Sequence, residues 1–252
     1  MRFDRRSAGR VVLALAVFVL ASCADPNNPQ DPYEEFNRSN HNFNVRLDSN
    51  VIRPVSRAYD TVTPDLVQFL IGNGLSHLTL PKDFANHLLQ GEFLDAMATF
   101  GRFGLNTVLG GGGLLDPATE FGLPKRTTDF GITLGKYGVG EGNFLVLPVL
   151  GPTTPRDLVG SVVDRAFRPT TYVSIFTSVN GIGPGVAVLS GVDARTANSA
   201  FIDDLFYNSP DSYVTLRSFY LQNRRSLVNE GTDAEALPDI FDEEGEAPAP
   251  AE

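Results

Sequence analysis

The chain has 252 residues, a formal net charge of −10 and a single cysteine, so a framework of intramolecular disulfides is excluded. The charge is uneven, because residues 230–252 hold nine acidic residues and no basic one. Residues 23–229 hold 16 basic and 20 acidic residues, and a body so close to neutrality argues against a nucleic-acid partner, which requires a basic face.

The N-terminus has the features of a secretory signal peptide. Several arginines precede Val11–Leu20, an uninterrupted apolar run that is too short to span a bilayer as a helix. That length is typical of the apolar region of a signal peptide. We therefore predict that residues 1–22 are a lipoprotein signal peptide.

The sequence Leu20-Ala21-Ser22-Cys23 matches the lipobox, in which the cysteine thiol is acylated and the cysteine becomes the new N-terminus. The alternative is a chance cysteine after an ordinary signal peptide. We predict lipidation at Cys23 and a lipidated linker over residues 23–30. Ala24, where aspartate would favour inner-membrane retention, favours a cell outer membrane location, lipid-anchored and facing the periplasm; several acyl chains give a stable anchor.

About 200 residues remain, enough for one domain with a sizeable core, which we place at residues 31–230. Residues 231–252, rich in acidic residues and proline, are predicted to be a disordered acidic tail. The tail either keeps the protein soluble or offers an electrostatic contact to a basic periplasmic partner.

Apolar periodicity and capping residues predict a mainly α fold. Two threonine–proline pairs, at 63–64 and at 154–155, are typical of helix starts. Helices are expected over 36–47, 54–59, 64–75, 82–89, 92–109, 155–167, 186–206 and 210–228.

One short β-hairpin is expected in the middle of the chain. The runs 130–134 and 144–147 are predicted strands, and the glycine-rich segment 135–143 is the predicted loop between them. This loop is longer than most hairpin loops. It is either a mobile surface hairpin or a flexible gate beside a cavity.

Long stretches lack any charged residue. The longest is 169–192, and its prolines and asparagine make it a poor membrane-spanning helix. Such stretches are either buried in protein or placed in the headgroup region of a membrane. A lipid anchor on the same chain favours the membrane. The other uncharged stretches are 66–81, 103–115 and 142–155.

Candidate catalytic and metal-binding residues are few. The histidines His41, His77 and His87 are scattered, and Cys23 is assigned to lipid, so no metal site is expected. No Gly-x-Ser-x-Gly elbow or phosphate-binding glycine loop occurs. We expect a protein that is not an enzyme and needs no cofactor.

An ordered set of short motifs over residues 31–222 resembles the MlaA/VacJ family of phospholipid-removal lipoproteins of the outer membrane. Each motif alone is weak, but their order behind a lipobox is specific. Segment 168–200 departs from the family pattern. The matching motifs are Asp31-Pro32-Tyr33-Glu34-Glu35-Phe36-Asn37-Arg38, Asn42-Phe43-Asn44, Arg53-Pro54-Val55, Leu89-Gln90-Gly91, Arg102-Phe103, Leu105-Asn106-Thr107, Gly110–Gly113, Phe130-Gly131, Thr133-Leu134-Gly135, Tyr137-Gly138-Val139-Gly140, Leu147-Pro148, Arg156-Asp157 and Ser209-Pro210-Asp211-Ser212-Tyr213.

The resemblance implies a ring-like helical single domain, membrane-embedded at the periplasmic leaflet of the outer membrane beside a trimeric porin. Mislocalised phospholipid would leave the outer leaflet through an amphipathic channel and pass to a periplasmic lipid carrier of the Mla type, which maintains lipid asymmetry. No bond is made or broken.

The resemblance also assigns residues. It maps a gating hairpin onto the strand pair 130–147, with Gly135, Lys136, Tyr137, Gly138, Val139 and Gly140 as the channel-gating residues. It maps a channel-control segment onto Asn42, Phe43 and Asn44. The asparagines of segment 37–44 are further expected to offer neutral donors and acceptors to a lipid headgroup.

Two other functions stay open. A structural lipoprotein that scaffolds envelope proteins would need no lipid path. An envelope hydrolase would need Ser39, His41 or His87 to be essential.

Overall fold

The computed structural model describes residue 28, residues 31–171 and residues 182–230. The predicted signal peptide, Cys23, nearly all of the linker and the acidic tail lie outside the described residues. So do residues 172–181 of the longest uncharged stretch.

The described residues form a mainly helical structure with one short β-hairpin, which confirms the predicted fold class. None of the described helices combines the length and the apolar character needed to cross a bilayer. The helices are Glu34–Leu47 (α1), Arg53–Val62 (α2), Asp65–His77 (α3), Leu80–Gln90 (α4), Phe93–Val108 (α5), Pro117–Glu120 (α6), Phe130–Lys136 (α7), Pro155–Asp164 (α8), Ile182–Ala197 (α9), Ser199–Asp203 (α10) and Ser212–Asn229 (α11).

Three short segments adjoining these helices are not α-helical but have wider π-helical or tighter 3₁₀ turns. Two segments are π-helical, Asp48–Ile52 between α1 and α2 and Asp204–Asn208 after α10. A single 3₁₀ turn, Arg165–Phe167, follows α8. The side chain of Thr154 accepts the N–H of Asp157, which confirms the predicted start of α8, whereas α3 begins one residue later than predicted, with Pro64 as its N-cap.

The predicted strand at 130–134 is wrong, because Phe130–Lys136 is helix α7. The side chain of Asp129 accepts the N–H of Ile132 at 2.9 Å and caps the helix. The hairpin lies further along the chain. Strand β1 (Leu145–Leu147) pairs antiparallel with strand β2 (Gly151–Thr153), and Leu147 faces Gly151.

Two glycines let α7 cross α8 at close range. A Cβ at Gly160 of α8 would lie 2.3 Å from the backbone nitrogen of Gly131. A Cβ at Gly131 would lie 2.5 Å from a carboxylate oxygen of Asp157. Only glycine permits this contact, which brings Asp157 beside Asp129 so that Arg224 of α11 binds both carboxylates.

The described part of the chain has polar groups inside and apolar groups outside. It contains nine buried apolar residues against nineteen buried polar or charged ones. Meanwhile Leu66 and Phe69 of α3, and Leu94 and Met97 of α5, are all more than half exposed. This distribution is unlike that of a water-soluble domain, in which large exposed apolar patches mark an interaction surface.

Candidate functional site

An apolar cavity of about 520 Å³ lies between the first π-helical segment, β2 and helices α9, α10 and α11. Phe201, Phe219 and Ala194 are among its lining residues. A smaller lobe of about 120 Å³ adjoins it, because Ile52 and Leu216 line both. The volume falls within the range of about 300–1,000 Å³ that is typical of ligand sites.

One wall of this apolar cavity carries a closed network of charges. Arg195 binds both carboxylate oxygens of Asp48, at 2.9 and 3.0 Å, and also reaches Asp203 at 2.5 Å. Tyr207 donates to Asp48 at 2.7 Å, and burial together with this carboxylate raises the pKa of Tyr207 to about 12. Arg53 pairs with Asp203 as well, so two guanidiniums neutralise two carboxylates and the wall is polar without presenting a free charge.

Both π-helical segments border the apolar cavity. Asp48 and Ile52 come from the first segment, and Leu205 and Phe206 from the second. The hydrogen bond from Tyr207 to Asp48 joins the two segments directly. Single π-helical turns are uncommon and occur often at functional sites, where they redirect side chains.

Three asparagines on one face of α1 bind the backbone beside the hairpin. Asn37 donates to the carbonyl of Phe144 and accepts the N–H of Val146, at 2.9 and 2.8 Å. Asn40 donates to the carbonyl of Val146 at 2.9 Å. Asn44 donates to Leu147 and accepts the N–H of Val149, at 2.9 and 2.7 Å. These amides take the place of a neighbouring strand and fix the hairpin against α1.

This arrangement corrects the expected role of the asparagine-rich segment. Asn37 and Asn44 each use both amide atoms on backbone groups, so neither amide is free for a lipid headgroup. Asn42 and Phe43, the other members of the predicted channel-control segment, lie on the exposed side of α1. The channel-control segment therefore contacts the hairpin through Asn44.

The hairpin tip is strained. Leu150 donates its N–H to the carbonyl of Pro148 at 2.8 Å, and Val149 between them has a φ of 67°. This is the pattern of the rare γ-turn with positive φ, and a β-branched residue is poorly suited to it. Val149 also lines the smaller lobe of the apolar cavity. The strain thus lies where the hairpin meets the cavity.

The six predicted gating residues lie elsewhere. All are within the described part of the chain, and none lines the apolar cavity. Lys136 forms an ion pair with Glu92, and Tyr137 donates to the carbonyl of Leu89 at 2.6 Å. Gly135 packs against Val228 of α11. The hairpin that borders the apolar cavity is 145–153; the sequence pattern predicts its first strand, at 144–147, but not its partner at 151–153.

His87 lies beside Glu92 and Asp95, with potential ligand atoms within 4.8 Å of one another, a grouping that the scattered histidines did not suggest. Glu92 is bound by Lys136, and Asp95 by Arg126. Burial opposes ionisation of Glu92, but hydrogen bonds from Lys136 and His87 outweigh it and hold the pKa of Glu92 below its usual range. Each carboxylate thus already has a cationic partner.

Of the contacts that a serine hydrolase needs, the described residues show the histidine–serine pair but neither a carboxylate partner for the histidine nor free oxyanion donors. Nε2 of His41 lies 2.8 Å from Oγ of Ser212. Nδ1 of His41 has no hydrogen-bond partner among the described residues, so no carboxylate orients the ring. Asp211 accepts the N–H groups of Tyr213 and Val214, which are then unable to stabilise an oxyanion.

Comparisons with known proteins agree with one another. A model of the family described as MlaA lipoprotein matches residues 29–227. The intermembrane phospholipid transport system lipoprotein MlaA of Haemophilus influenzae is 35% identical over 240 residues, covering 89% of this chain and 93% of that protein. The protein of the same name from Escherichia coli K12 is 35% identical over 227 residues, covering 87% and 88%. An uncharacterized protein of Rickettsia felis is 37% identical over 199 residues, covering 79% and 78%.

A solved structure supports the same relationship. It matches with a TM-score of 0.71 and 34% identity, covers 79% of this chain and 99% of its own, and is described as the structural basis for maintenance of bacterial outer membrane lipid asymmetry. The family model, the relatives and the solved structure point to the same family. The chain belongs to the MlaA lipoprotein family.

Proposed function

We propose that this protein is an outer-membrane lipoprotein that removes mislocalised phospholipid from the outer leaflet, acting as a transport protein and not as an enzyme. The phospholipid passes through the apolar cavity and is handed to a periplasmic lipid carrier, so that lipid asymmetry is maintained. The names of the Haemophilus and Escherichia relatives support phospholipid as the transported molecule. The description of the related structure supports the outer membrane as the location.

The observation that carries the proposal is the apolar cavity with one polar wall. An acyl chain needs an apolar path, and a charged headgroup is costly to bury without polar partners. Phe201 and Phe219 supply the apolar path, and the neutralised network around Asp48 and Arg195 supplies the polar partners for the headgroup. Because the network is already satisfied, it presents polar atoms without binding a headgroup too tightly to release.

The outward apolar residues support placement in the periplasmic leaflet. In water the exposed side chains of α3 and α5 would be an aggregation hazard, whereas in a bilayer they contact lipid. Cys23 supplies the anchor in this proposal. From the family resemblance we further expect the protein to form a ring-like body beside a trimeric porin.

We further propose that the gate is the hairpin 145–153. Its strained tip at Val149 and its attachment to Asn44 support this role. Cysteines at positions 149 and 216, which line the same small lobe, can be joined by a cleavable thiol cross-linker, since Cys23 is acylated. Transport that stops on cross-linking and returns on cleavage is expected. Transport unchanged in both states would remove the gate from the proposal.

The decisive experiment measures phospholipid in the outer leaflet of intact cells that lack this gene. The strain is complemented with the wild type and with a Cys23→Ala variant. A rise on deletion that only the lipidated protein reverses is expected. An unchanged outer leaflet would instead favour the scaffold function, which needs no lipid path and would leave protein associations, not lipid distribution, altered in the deletion strain.

A further inference from the structure

A second, polar cavity of about 310 Å³ lies apart from the apolar cavity and shares no lining residue with it. The ends of α4 and α11, the start of α5, helix α7 and the loop 125–128 enclose it. Its walls hold three cationic side chains and three carboxylates, namely Lys125, Arg126, Lys136, Glu92, Asp95 and Glu230. The cavity is therefore polar, and its formal charges balance.

Four of the six charges are already paired within the wall. Lys136 binds Glu92, and Nε of Arg126 lies 3.0 Å from a carboxylate oxygen of Asp95. Lys125 and Glu230 are left, and neither makes an ion pair within the described residues. The cavity thus offers one uncommitted cation and one uncommitted carboxylate.

The floor of the polar cavity is built from buried, hydrogen-bonded groups. His87, 3% exposed, bonds Glu92 at 2.7 Å, and Gln90 donates to Thr128 and Thr133 at 2.8 and 2.7 Å. The amide oxygen of Gln90 is buried and has no hydrogen-bond donor among the residues that the structure describes. The floor is therefore preorganised, and Lys125 and Glu230 lie exposed at its rim, where a ligand from solution can reach them.

The charge balance selects the chemistry of the ligand. A lone anion attracted to Lys125 would leave the carboxylate of Glu230 unpaired in the same cavity, and a divalent cation at His87 would have to displace Lys136 and Arg126. A ligand that carries both charges meets neither penalty, because each end has its own partner. A phosphate joined to a primary ammonium through a short linker has this form.

We propose that the polar cavity binds a phosphoethanolamine group, with the phosphate at Lys125 and the ammonium at Glu230. Two sources share this chemistry, a phosphatidylethanolamine headgroup and free glycerophosphoethanolamine. The assignment to a phosphatidylethanolamine headgroup rests on the proposed function. Binding of free glycerophosphoethanolamine does not depend on it. The polar cavity is then a second binding site for a headgroup, separate from the apolar cavity through which the acyl chains pass.

Calorimetric titration of the full mature protein in detergent tests the proposal with phosphoethanolamine, ethanolamine, inorganic phosphate and glycerophosphoethanolamine. The zwitterions should bind at least about tenfold more tightly than either half alone, since both charged contacts then act on one molecule. Lys125→Gln should weaken the zwitterion and phosphate but not ethanolamine. Glu230→Gln should weaken the zwitterion and ethanolamine but not phosphate.

Two exposed residues outside the cavity, Arg46 and Glu35, give matched controls. Arg46→Gln and Glu35→Gln should leave every titration unchanged. Phosphatidylethanolamine in bicelles forms the lipid arm. Binding of the bicelle lipid alone, with the same dependence on Lys125, supports the site and assigns it to lipid. Binding of both forms supports the site for either source.

Three outcomes would overturn the site. The first is no binding of any zwitterion, in solution or in bicelles. The second is binding that both pairs of variants weaken equally. The third, from a parallel titration with Zn²⁺, is zinc binding that His87→Gln abolishes and Lys125→Gln leaves unchanged, which would make the cavity a metal site. None of these bears on phospholipid transport, which the outer-leaflet measurement tests separately.

Discussion

Asn37 and Val146 lie 109 residues apart in the chain, and the side-chain oxygen of Asn37 accepts the backbone N–H of Val146 at 2.8 Å. Strand β1 has a partner strand on one side only, so its other edge would otherwise be an unsatisfied backbone. The asparagines of α1 satisfy that edge. The hairpin is therefore held by side chains of a helix, which are few enough for single substitutions to matter.

Asn37→Leu should destabilise the protein by about 2–4 kcal/mol, because it leaves a buried carbonyl and a buried N–H without partners. Chemical unfolding in detergent, followed by far-UV circular dichroism, measures the change. Asn42→Leu is the control, since Asn42 is exposed on the same helix. It should change the free energy of unfolding by no more than about 0.5 kcal/mol. Equal effects of the two substitutions would show that the hairpin does not depend on this contact.

Val149→Asn should stabilise the protein by about 1 kcal/mol, because asparagine tolerates a positive φ that costs valine about 1–2 kcal/mol. The same unfolding measurement applies. Val162→Asn is the control, at an exposed position of α8 with ordinary helical geometry, where the two residues have similar helix propensity. A stability gain at both positions, or at neither, would contradict strain at the hairpin tip.

Acidification should weaken the fold through two buried histidines. Burial lowers the pKa of His41, with Arg38 adding to the effect and Asp211 opposing it, and burial lowers the pKa of His77. The unfolded chain binds protons at these sites below about pH 6.5 while the folded chain does not. Their contribution is thus fully present above pH 6.5 and is lost as the pH falls towards the folded pKa values.

A His41→Gln/His77→Gln variant should show a shallower fall in unfolding free energy between pH 7 and pH 5 than the wild type. Carboxylates that titrate in this range act on both proteins and cancel in the difference. Parallel pH profiles of the two proteins would mean that the buried histidines are protonated as easily in the folded state as in the unfolded one.

Most helices could be predicted because their signals are local. Thr154 and Pro155 start α8 with a side-chain cap, and Phe36, Phe43 and Leu47 lie close to one face of α1. The predicted strand at 130–134 was wrong because its aromatic and β-branched residues favour a strand. The capping residue Asp129 and the contact between Gly131 and Gly160 outweigh that preference, and only the first of these signals is local.

The apolar cavity could not be located from the sequence. Its lining comes from residues as distant as Ile52, Pro152 and Phe219, and no periodicity relates them. The asparagines were noticed, but their partners on β1 lie more than a hundred residues away. The flexibility of the glycine-rich segment 135–143 is visible in the sequence, whereas strain at Val149 is visible only in backbone geometry.

Gly191 offers a direct test of the lipid path. It lies within α9 and lines the apolar cavity, and a Cβ there would meet no atom of the described part of the chain within 4 Å. Gly191→Phe should therefore fit without a clash, improve helix propensity by about 0.5 kcal/mol and fill the cavity. We expect outer-leaflet phospholipid to rise to the level of the deletion strain while the protein stays folded and lipidated.

Gly185 provides the matched control, since it lies on the same helix, a Cβ there would also meet no atom of the described residues within 4 Å, and it does not line the apolar cavity. Gly185→Phe adds the same ring to the same helix, so it should restore lipid asymmetry as well as the wild type does. Equal loss with both variants would point to a general disturbance of α9. Full activity with Gly191→Phe would place the lipid path outside the apolar cavity, because a phenyl ring there occupies the space that an acyl chain would need.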